Sequence, residues 1–323
     1  MNNSNPLVTC GLTTYNAEKT IAYSIESIKN QSYNNLELLI VDDKSTDRTI
    51  EIIKDLNLSN YFKTTLISNQ VNKGVAYGRN LIIQKSSGDF IIFFDDDDYS
   101  YKYRVESQIK KIIEFENKIS PNSQKNNSPL CYTNRNIIFR NKKLICKSII
   151  IDDLSKYRDK YIGALLSADN FPINGRSGSS ATCTLCARKS TFEKILFNNE
   201  LRRCEDLEFA IRALQQDICL ISTDTILVDQ FYTKTLDKKD WRIYEFKVLE
   251  IHKDWLLKNN LYEFALLYLK LKNSFLYLDL RTFTKIFFVL ITKYPLKVSL
   301  KLLSALNTFT FTIKSRLNEL FNF

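Results

Sequence analysis

The sequence predicts an α/β fold, in which a mostly parallel sheet is flanked by helices, followed by an all-helical C-terminal appendage. Short apolar segments of strand type alternate with segments of helical periodicity through the first part of the chain, and this βαβ pattern is typical of parallel sheets. From about Lys234 onward the periodicity is helical throughout. We therefore expect two domains, residues 1–233 and residues 234–323.

The elements of the first domain follow one another in a regular order. They are predicted as a strand at 7–13, a helix at 17–30 with Asn16 as its N-cap, a strand at 36–41, a helix at 49–57, a strand at 62–68, a helix at 75–85 and a strand at 88–94. Parallel strands bring their carboxyl ends to one edge of the sheet, which is where open α/β sheets bind ligands.

The acidic run from Asp95 to Asp98 follows the most apolar of these strands. Gly88 to Phe94 has the length and aromatic content of a strand buried on both faces. Adjacent carboxylates repel one another, so the run either raises its own pKa values or binds a cation, and oxygen ligands without a nearby histidine suit Mg²⁺ or Mn²⁺. The alternative is a solvated acidic loop that caps a helix predicted at 101–115.

Length and composition indicate a globular protein. The chain has 323 residues, 44% of them hydrophobic, which suits one large α/β domain plus an appendage. The polar N-terminal segment does not resemble a signal peptide, and no apolar run is long enough to cross a bilayer. The seven cysteines fit a reducing compartment better than a disulfide framework. We expect a cytoplasmic protein and leave open a peripheral position on the inner face of the membrane.

Cys183 and Cys186 have the spacing of a metal-binding or redox pair. They lie in strand-like sequence, where successive side chains point to opposite faces of the sheet. Two thiols three residues apart would therefore point to opposite sides. No second pair accompanies them, and the chain has one histidine, His252. Zinc or redox use is therefore not expected, and burial as small hydrophobic residues is favoured.

Three further constellations lie at predicted element ends. One joins Thr13-Thr14-Tyr15-Asn16 to Val41–Asp47, at the ends of two neighbouring strands; the second is the loop Asn72–Asn80; the third is Arg202–Phe209. Hydroxyls, carboxylates and free amides at such ends can recognise a base or an anion. Each also has an ordinary structural explanation, such as an N-cap or acids in a first helical turn.

Taken together and in this order, these segments resemble the family-two glycosyltransferases of the GT-A fold. The resemblance covers about the first 230 residues. The matching pieces are TTYN, SIKNQSYNNLELLIVDDKSTDRT, NKGVAYGRN, SGDFIIFFDDDD, SGSSATCTLCARKSTFEKI and RRCEDLEFAIR. The chain departs from the common pattern at Asp96, where a small residue is frequent, and in a Gly- and Ser-rich loop on the acceptor side.

The resemblance implies a set of donor-binding residues. Thr13, Asp43 and Arg79 are implied to contact the base of the donor nucleotide. Tyr15 and Asp96 are assigned to the same donor-binding set.

The resemblance also implies the metal and the base. Asp97 is implied to be the direct ligand of Mg²⁺ or Mn²⁺, assisted by Asp95. Asp206 matches the general base, and the neighbouring Glu205 is the alternative.

The implied function is metal-dependent, inverting transfer of a sugar from a nucleotide diphosphate donor, with a UDP-sugar favoured, to a glycan or lipid-linked acceptor in surface polysaccharide biosynthesis. A nucleotidyltransferase of the same fold is one alternative, against which the Glu205-Asp206 pair argues. A non-catalytic adaptor for membrane or nucleic acid, with a decayed transferase domain, is another. The intact Asp95, Asp97 and Asp206 argue against decay, and no nucleic-acid partner is expected.

The C-terminal region carries most of the positive charge. From Phe231 onward there are 16 basic and 8 acidic side chains, which account for +8 of the net charge of +10. Between Arg281 and Phe323 seven basic residues oppose one acid, Glu319. Such helices can lie in an anionic membrane interface. The alternative is that they pack on the catalytic domain and expose a solvated face of lysines.

Overall fold

The computed structural model describes residues 5–118, 128–139, 142–167, 178–231 and 238–299. These residues divide into two compact units. The first contains the described residues up to Arg158 and from Gly178 to Phe231, and the second contains Asp159–Ser167 and Lys238–Ser299. The predicted division into residues 1–233 and 234–323 stays a prediction. Most of the Gly- and Ser-rich loop and the chain beyond Ser299 lie outside the described residues.

The N-terminal half of the first unit confirms the predicted alternation. Its elements are β1 (Val8–Thr14), α1 (Ile21–Lys29), β2 (Leu36–Asp42), α2 (Thr49–Asp55), β3 (Lys63–Ser68), α3 (Val75–Lys85) and β4 (Phe90–Asp95). The N-cap prediction was wrong, because α1 begins four residues later than expected. Asn16 instead has a left-handed backbone, with φ of 51°, and its Oδ1 accepts a hydrogen bond from the Thr46 amide at 2.8 Å.

The rest of the first unit adds five strands, of which two are the longest of the sheet, and three helices together with the beginning of a fourth in the described residues. Its elements are β5 (Asp98–Ser100), α4 (Arg104–Lys118), β6 (Leu130–Phe139), β7 (Lys142–Cys146), α5 (Leu154–Ser167), β8 (Cys186–Arg188), α6 (Lys189–Lys194), α7 (Glu205–Gln215) and β9 (Leu220–Phe231). From Asp159 onward, α5 belongs to the second unit.

The sheet is mixed, with a parallel half and an irregular half. Its strand order is β3-β2-β1-β4-β8-β6-β9-β5, with β7 paired to β6. The first four strands are parallel, as their helical crossovers require. β8 runs antiparallel to β4 and to β6, and β5 runs antiparallel to β9. The result is an α/β sheet with flanking helices, in which the N-terminal part of the chain forms the parallel half.

Strand register places the polar residues at one edge. Thr13 pairs with Val41 on one side and with Asp95 on the other, and Thr14 pairs with Asp42. The carboxyl ends of β1, β2 and β4 therefore meet, as the sequence predicted. The strand β4 is buried from Phe90 through Phe94, which anchors its polar end against a dry core.

The core of this half lies between the parallel strands and their helices. The predicted apolar face of α1, formed by Ile21, Ile25 and Ile28, is fully buried against β1, β2 and β4. Full burial of such a side chain contributes about 1.5–3 kcal/mol relative to exposure. This packing holds the strand ends in register.

The second unit is helical in the described residues, as predicted. Besides the end of α5, it contains α8 (Lys238–Ile251), α9 (Lys253–Lys258), α10 (Tyr262–Leu276) and α11 (Leu280–Lys293). Phe264, Ile286, Leu290 and Val298 form a buried cluster. Across the described residues, none of the helices combines the length and apolarity that crossing a bilayer demands.

Candidate active site

A cleft of about 280 Å³ opens at the carboxyl edge of the parallel strands. Eight of the nine residues that the sequence assigned to the site line it: Thr13, Tyr15, Asp43, Arg79, Asp95, Asp96, Asp97 and Glu205. The ninth, Asp206, follows Glu205 in the chain and is half-buried. The structure therefore brings the predicted residues together, although they come from five separate segments of the sequence.

The acidic run forms a tight turn between two strands. Asp95 ends β4, Asp98 begins β5, and Asp96 and Asp97 connect them. The run therefore leads into a strand, and it does not cap α4, which begins only at Arg104. The backbone carbonyl of Asp95 accepts a hydrogen bond from the Ser24 hydroxyl at 2.7 Å, which ties the turn to α1.

Burial and mutual repulsion raise the pKa values of the turn carboxylates. Burial raises the pKa of Asp96 to about 6, against the opposing effect of a hydrogen bond from the Tyr15 amide at 3.0 Å. Burial, with the nearby charges of Asp95 and Asp96, raises the pKa of Asp97 to about 7. Among the described residues, the Asp97 carboxylate has no hydrogen bond from another residue and no ion pair. Partly buried, neighbouring carboxylates without a positively charged partner are suited to binding a cation.

Arg79 joins the acidic turn to the start of α7. Its Nη1 donates to Glu205 Oε1 at 2.8 Å, and its Nη2 donates to Asp95 Oδ1 at 3.2 Å. The side chain is 4% exposed, and its guanidinium lies over the Phe197 ring, 5.5 Å from the ring centre. Burial lowers the pKa of Arg79, but the carboxylates of Asp95 and Glu205 outweigh it and raise the pKa. The expected contact of Arg79 with the donor base stays a prediction.

Asp43 holds the loop that precedes α3. Its Oδ1 accepts hydrogen bonds from the Lys73 amide at 2.8 Å and from Asn69 Nδ2 at 2.9 Å, and its Oδ2 accepts from the Gly74 amide at 2.7 Å. Arg202 binds the other side of this loop, since its guanidinium donates to the backbone and side-chain oxygens of Asn72. The loop is thus fixed from two directions, and Asp43 lies in the cleft wall with its carboxylate already hydrogen-bonded.

Glu205 and Asp206 occupy the first turn of α7. Asp206 Oδ1 accepts from the Leu207 amide at 2.7 Å, as acids at a helix N-terminus commonly do. Burial raises the pKa of Asp206, with Arg79 acting in the opposite direction. Burial and the charge of Asp206 raise the pKa of Glu205 to about 7. Both carboxylates are therefore better proton acceptors than solvent-exposed ones, and Arg79 holds one of them.

Several residues at this edge lie in segments that the sequence analysis singled out but were not assigned to the site. Thr14, Val75 and Arg203 also line the cleft. Behind the turn, ligand atoms of Asp95, Asp98 and Cys183 lie within 4.8 Å of one another. The fourth Asp of the run was visible in the sequence, but Cys183 had no signal beyond its spacing to Cys186.

The strand prediction for this cysteine pair was wrong in part. Cys183 lies in a 3-10 turn, Thr182–Thr184, and Cys186 begins β8. The turn changes the backbone direction, so Cys183 faces the acidic run while Cys186 packs in the apolar core. All seven cysteines are free thiols.

The comparisons with known proteins identify glycosyltransferases as similar sequences. Residues 9–128 match the model of the family described as glycosyl transferase family 2. An Escherichia coli protein named UDP-Glc:alpha-D-GlcNAc-diphosphoundecaprenol beta-1,3-glucosyltransferase WfgD is 38% identical over 135 residues, which are 42% of this chain and 48% of that protein. An uncharacterized glycosyltransferase of Haemophilus influenzae is 37% identical over 109 residues, which are 34% of this chain and 43% of that protein. The matches thus span less than half the length of these relatives.

A solved structure confirms the fold. TarS 1-349 of S. aureus in complex with UDP-GlcNAc superposes with a TM-score of 0.56 at 19% sequence identity, over 76% of this chain and 65% of that one. At this identity the likeness concerns the fold alone. It extends beyond the 120 residues or so that the family model matches.

Proposed function

We propose that this chain, whose residues 9–128 match the model of glycosyl transferase family 2, transfers a sugar from a nucleotide diphosphate donor to a glycan or lipid-linked acceptor in surface polysaccharide synthesis. The observation that carries the proposal is the Arg79 bridge, which brings Asp95 and Glu205 into one cleft at the sheet edge. The relative WfgD is named for a UDP-Glc donor and a diphosphoundecaprenol-linked acceptor, which supports the donor and acceptor classes.

The donor is proposed to be a UDP-sugar. The cleft wall offers the Thr13 hydroxyl and the Asp43 carboxylate beside the Asn72–Gly74 loop. Hydroxyl and carboxylate groups suit the donor and acceptor edge of a base. The solved TarS complex contains UDP-GlcNAc, and that supports the same donor class here.

The turn carboxylates fit a divalent cation. Asp97, which has no partner among the described side chains, and Asp95 would hold Mg²⁺ or Mn²⁺, because both ions prefer oxygen ligands. When bound there, the ion supplies Lewis-acid stabilisation of the negative charge on the leaving diphosphate.

The proton is proposed to pass to Asp206. Glu205 is engaged by Arg79, whereas Asp206 uses one oxygen, Oδ1, for the Leu207 amide. Asp206 Oδ2 would accept the proton of the acceptor hydroxyl as the hydroxyl oxygen attacks the anomeric carbon of the donor sugar. A single displacement of this kind inverts the anomeric carbon. Burial, which raises the pKa of Asp206, makes it a stronger base for this step.

The proposal is tested by incubating the full chain with a panel of nucleotide sugars and lipid-linked acceptors and detecting products by mass spectrometry. Transfer is expected with at least one UDP-sugar. The proposal is contradicted if no sugar in the panel is transferred and none of the donors binds.

In parallel, Asp97→Asn should abolish the metal-dependent part of UDP binding measured by calorimetry, because it removes a charged ligand oxygen. Asp89→Asn, an exposed change just before β4, is the matched control and should leave UDP binding unchanged.

A further inference from the structure

A second group of potential metal ligands lies behind the acidic turn. Ligand atoms of Asp95, Asp98 and Cys183 all lie within 4.8 Å of one another. The group shares Asp95 with the ligands proposed for the catalytic cation, but it replaces Asp97 by Asp98 and Cys183. Two carboxylate oxygens and one sulfur form a different donor set from the all-oxygen set of the cleft.

Asp98 supplies the independent sign of a missing ligand. Its side chain is 4% exposed, and its Oδ1 accepts from the Phe231 amide at 3.2 Å. Its Oδ2 is buried and has no hydrogen-bond partner outside this group, in which the Cys183 thiol lies next to the carboxylate. A buried carboxylate oxygen without a partner is costly unless it is protonated or paired with a positive charge.

Cys183 is supported from behind as a ligand sulfur would be. Its side chain is 2% exposed, and Gln230 Nε2 donates to its Sγ at 3.5 Å. The amide of Gln230 is oriented by Arg135, whose Nε donates to Gln230 Oε1 at 2.8 Å. Arg135 is itself 7% exposed. Burial, together with the charges of Asp98 and Asp95, raises the pKa of the Cys183 thiol well above its usual range, so the sulfur becomes a thiolate ligand only when a cation displaces its proton. Outer contacts such as the Gln230 amide orient and tune metal ligands.

We propose that Asp95, Asp98 and Cys183 form a second cation site, specific for zinc or a similarly thiophilic divalent cation. Thiolate sulfur selects such ions over Mg²⁺, and three protein ligands leave room for water or a further ligand. The incoming ion replaces the proton of the Cys183 thiol, which is released to solvent. Asp95 also lines the cleft, and its side chain is 25% exposed, so the ion has a route of entry. The proposal does not depend on transferase activity.

The test is a Co²⁺ titration of the metal-free full-length protein, monitored through the thiolate-to-metal charge-transfer absorption band. The wild-type protein should develop this band at about one equivalent of Co²⁺, and Zn²⁺ should displace it while excess Mg²⁺ should not. Cys183→Ser should abolish the band. Asp98→Asn should weaken Co²⁺ binding at least about tenfold, by comparison with the 10–100-fold cost of losing an outer contact.

Two control variants separate this site from its neighbours. Cys186→Ser changes a thiol that is equally buried and lies three residues away, and Asp97→Asn changes the proposed catalytic ligand; both should keep the band. Should Cys183→Ser not fold, Cys183→Ala takes its place. The proposal is overturned if wild type shows no band, if the band survives loss of the Cys183 sulfur, or if Cys186→Ser or Asp97→Asn removes it.

Discussion

At the scale of single residues, the site depends on one buried cation among several carboxylates. Arg79 lies between Asp95 and Glu205, and it also lowers the pKa of Asp206 through its charge. Without the guanidinium, carboxylates from β4 and α7 would face one another across the cleft with no positive charge between them. Arg79 is therefore as much a positioning residue as a candidate donor contact.

Replacing Asp206 should separate the proton transfer from donor binding. Asp206→Asn keeps the side-chain shape and the bond from the Leu207 amide but removes the proton acceptor. Turnover should fall by about 10² to 10⁴, the typical contribution of a general base, while UDP-sugar affinity stays within a small factor. Steady-state kinetics and calorimetry measure the two quantities. If Asp206→Asn turns over normally and Glu205→Gln does not, Glu205 is the base.

Replacing Arg79 should destabilise the fold as well as the site. Arg79→Met leaves Glu205, whose side chain is 12% exposed, and Asp95 without their counter-charge. Removing one partner of a buried ion pair costs about 3–5 kcal/mol, so the free energy of unfolding in urea should fall by up to that amount. The control is Arg48→Met, because the Arg48–Glu51 pair is exposed and should contribute nothing measurable. An equal loss in the free energy of unfolding in both variants would show that the Arg79 bridge does not stabilise the fold more than an exposed ion pair does.

At the scale of elements, the cleft is built by loops that are fixed to one another. The Asn72–Gly74 loop is hydrogen-bonded to Asp43 after β2 and to Arg202 before α7. Movement of any one segment would therefore disturb the other two. This explains how residues from distant parts of the chain keep a common geometry at the sheet edge.

Gly74 tests this arrangement because its backbone conformation is open only to glycine. Its φ is 90°, and a Cβ at this position would lie 3.2 Å from Arg202 Cδ. Gly74→Ala should cost about 1–3 kcal/mol in stability from backbone strain, and it should weaken UDP binding by displacing the loop. Thermal unfolding and calorimetry check both effects. Lys85→Ala, at the exposed end of α3, should change neither; unchanged donor affinity in Gly74→Ala would mean that the loop does not shape the donor site.

At the scale of the whole molecule, the described helices of the second unit expose several large apolar side chains. Leu280, Phe288 and Leu296 are 70–80% exposed, and Arg281 and Lys285 are exposed beside them. This pattern is compatible with the predicted membrane contact, which stays a prediction.

Liposome co-sedimentation of the full chain tests the membrane prediction. The wild-type protein should pellet with anionic vesicles at low salt, because each basic residue near such a surface contributes about 1 kcal/mol. Arg281→Glu with Lys285→Glu should reduce pelleting by about tenfold or more, whereas the same reversal at the exposed Lys54 and Lys110 of the first unit should not. The membrane prediction is contradicted if the wild-type protein does not pellet with the vesicles, or if both double variants lose pelleting equally.

The sequence by itself determined the order of elements and the location of the site. Apolar periodicity predicted β1 to β4 and α3 closely, because burial of an apolar face is a local pattern that the strand and helix periods impose. The parallel register then brought Thr13, Asp43 and Asp95 to one edge, as βαβ connections require. The boundaries were predicted less well. The helix α1 begins at Ile21 and not at residue 17, where a side-chain bond of Asn16 competed with the helix; α4 begins at Arg104 and not at residue 101; and Cys183 lies in a 3-10 turn.

Only the tertiary structure decided which charges face one another. The bridge from Arg79 to Glu205 joins residues far apart in the chain, and the approach of Cys183 to Asp98 depends on a 3-10 turn packed against β4. The antiparallel placement of β8 between β4 and β6 was equally invisible. Such contacts have no periodic signal, because they arise from where separate segments pack and not from the pattern within any one of them.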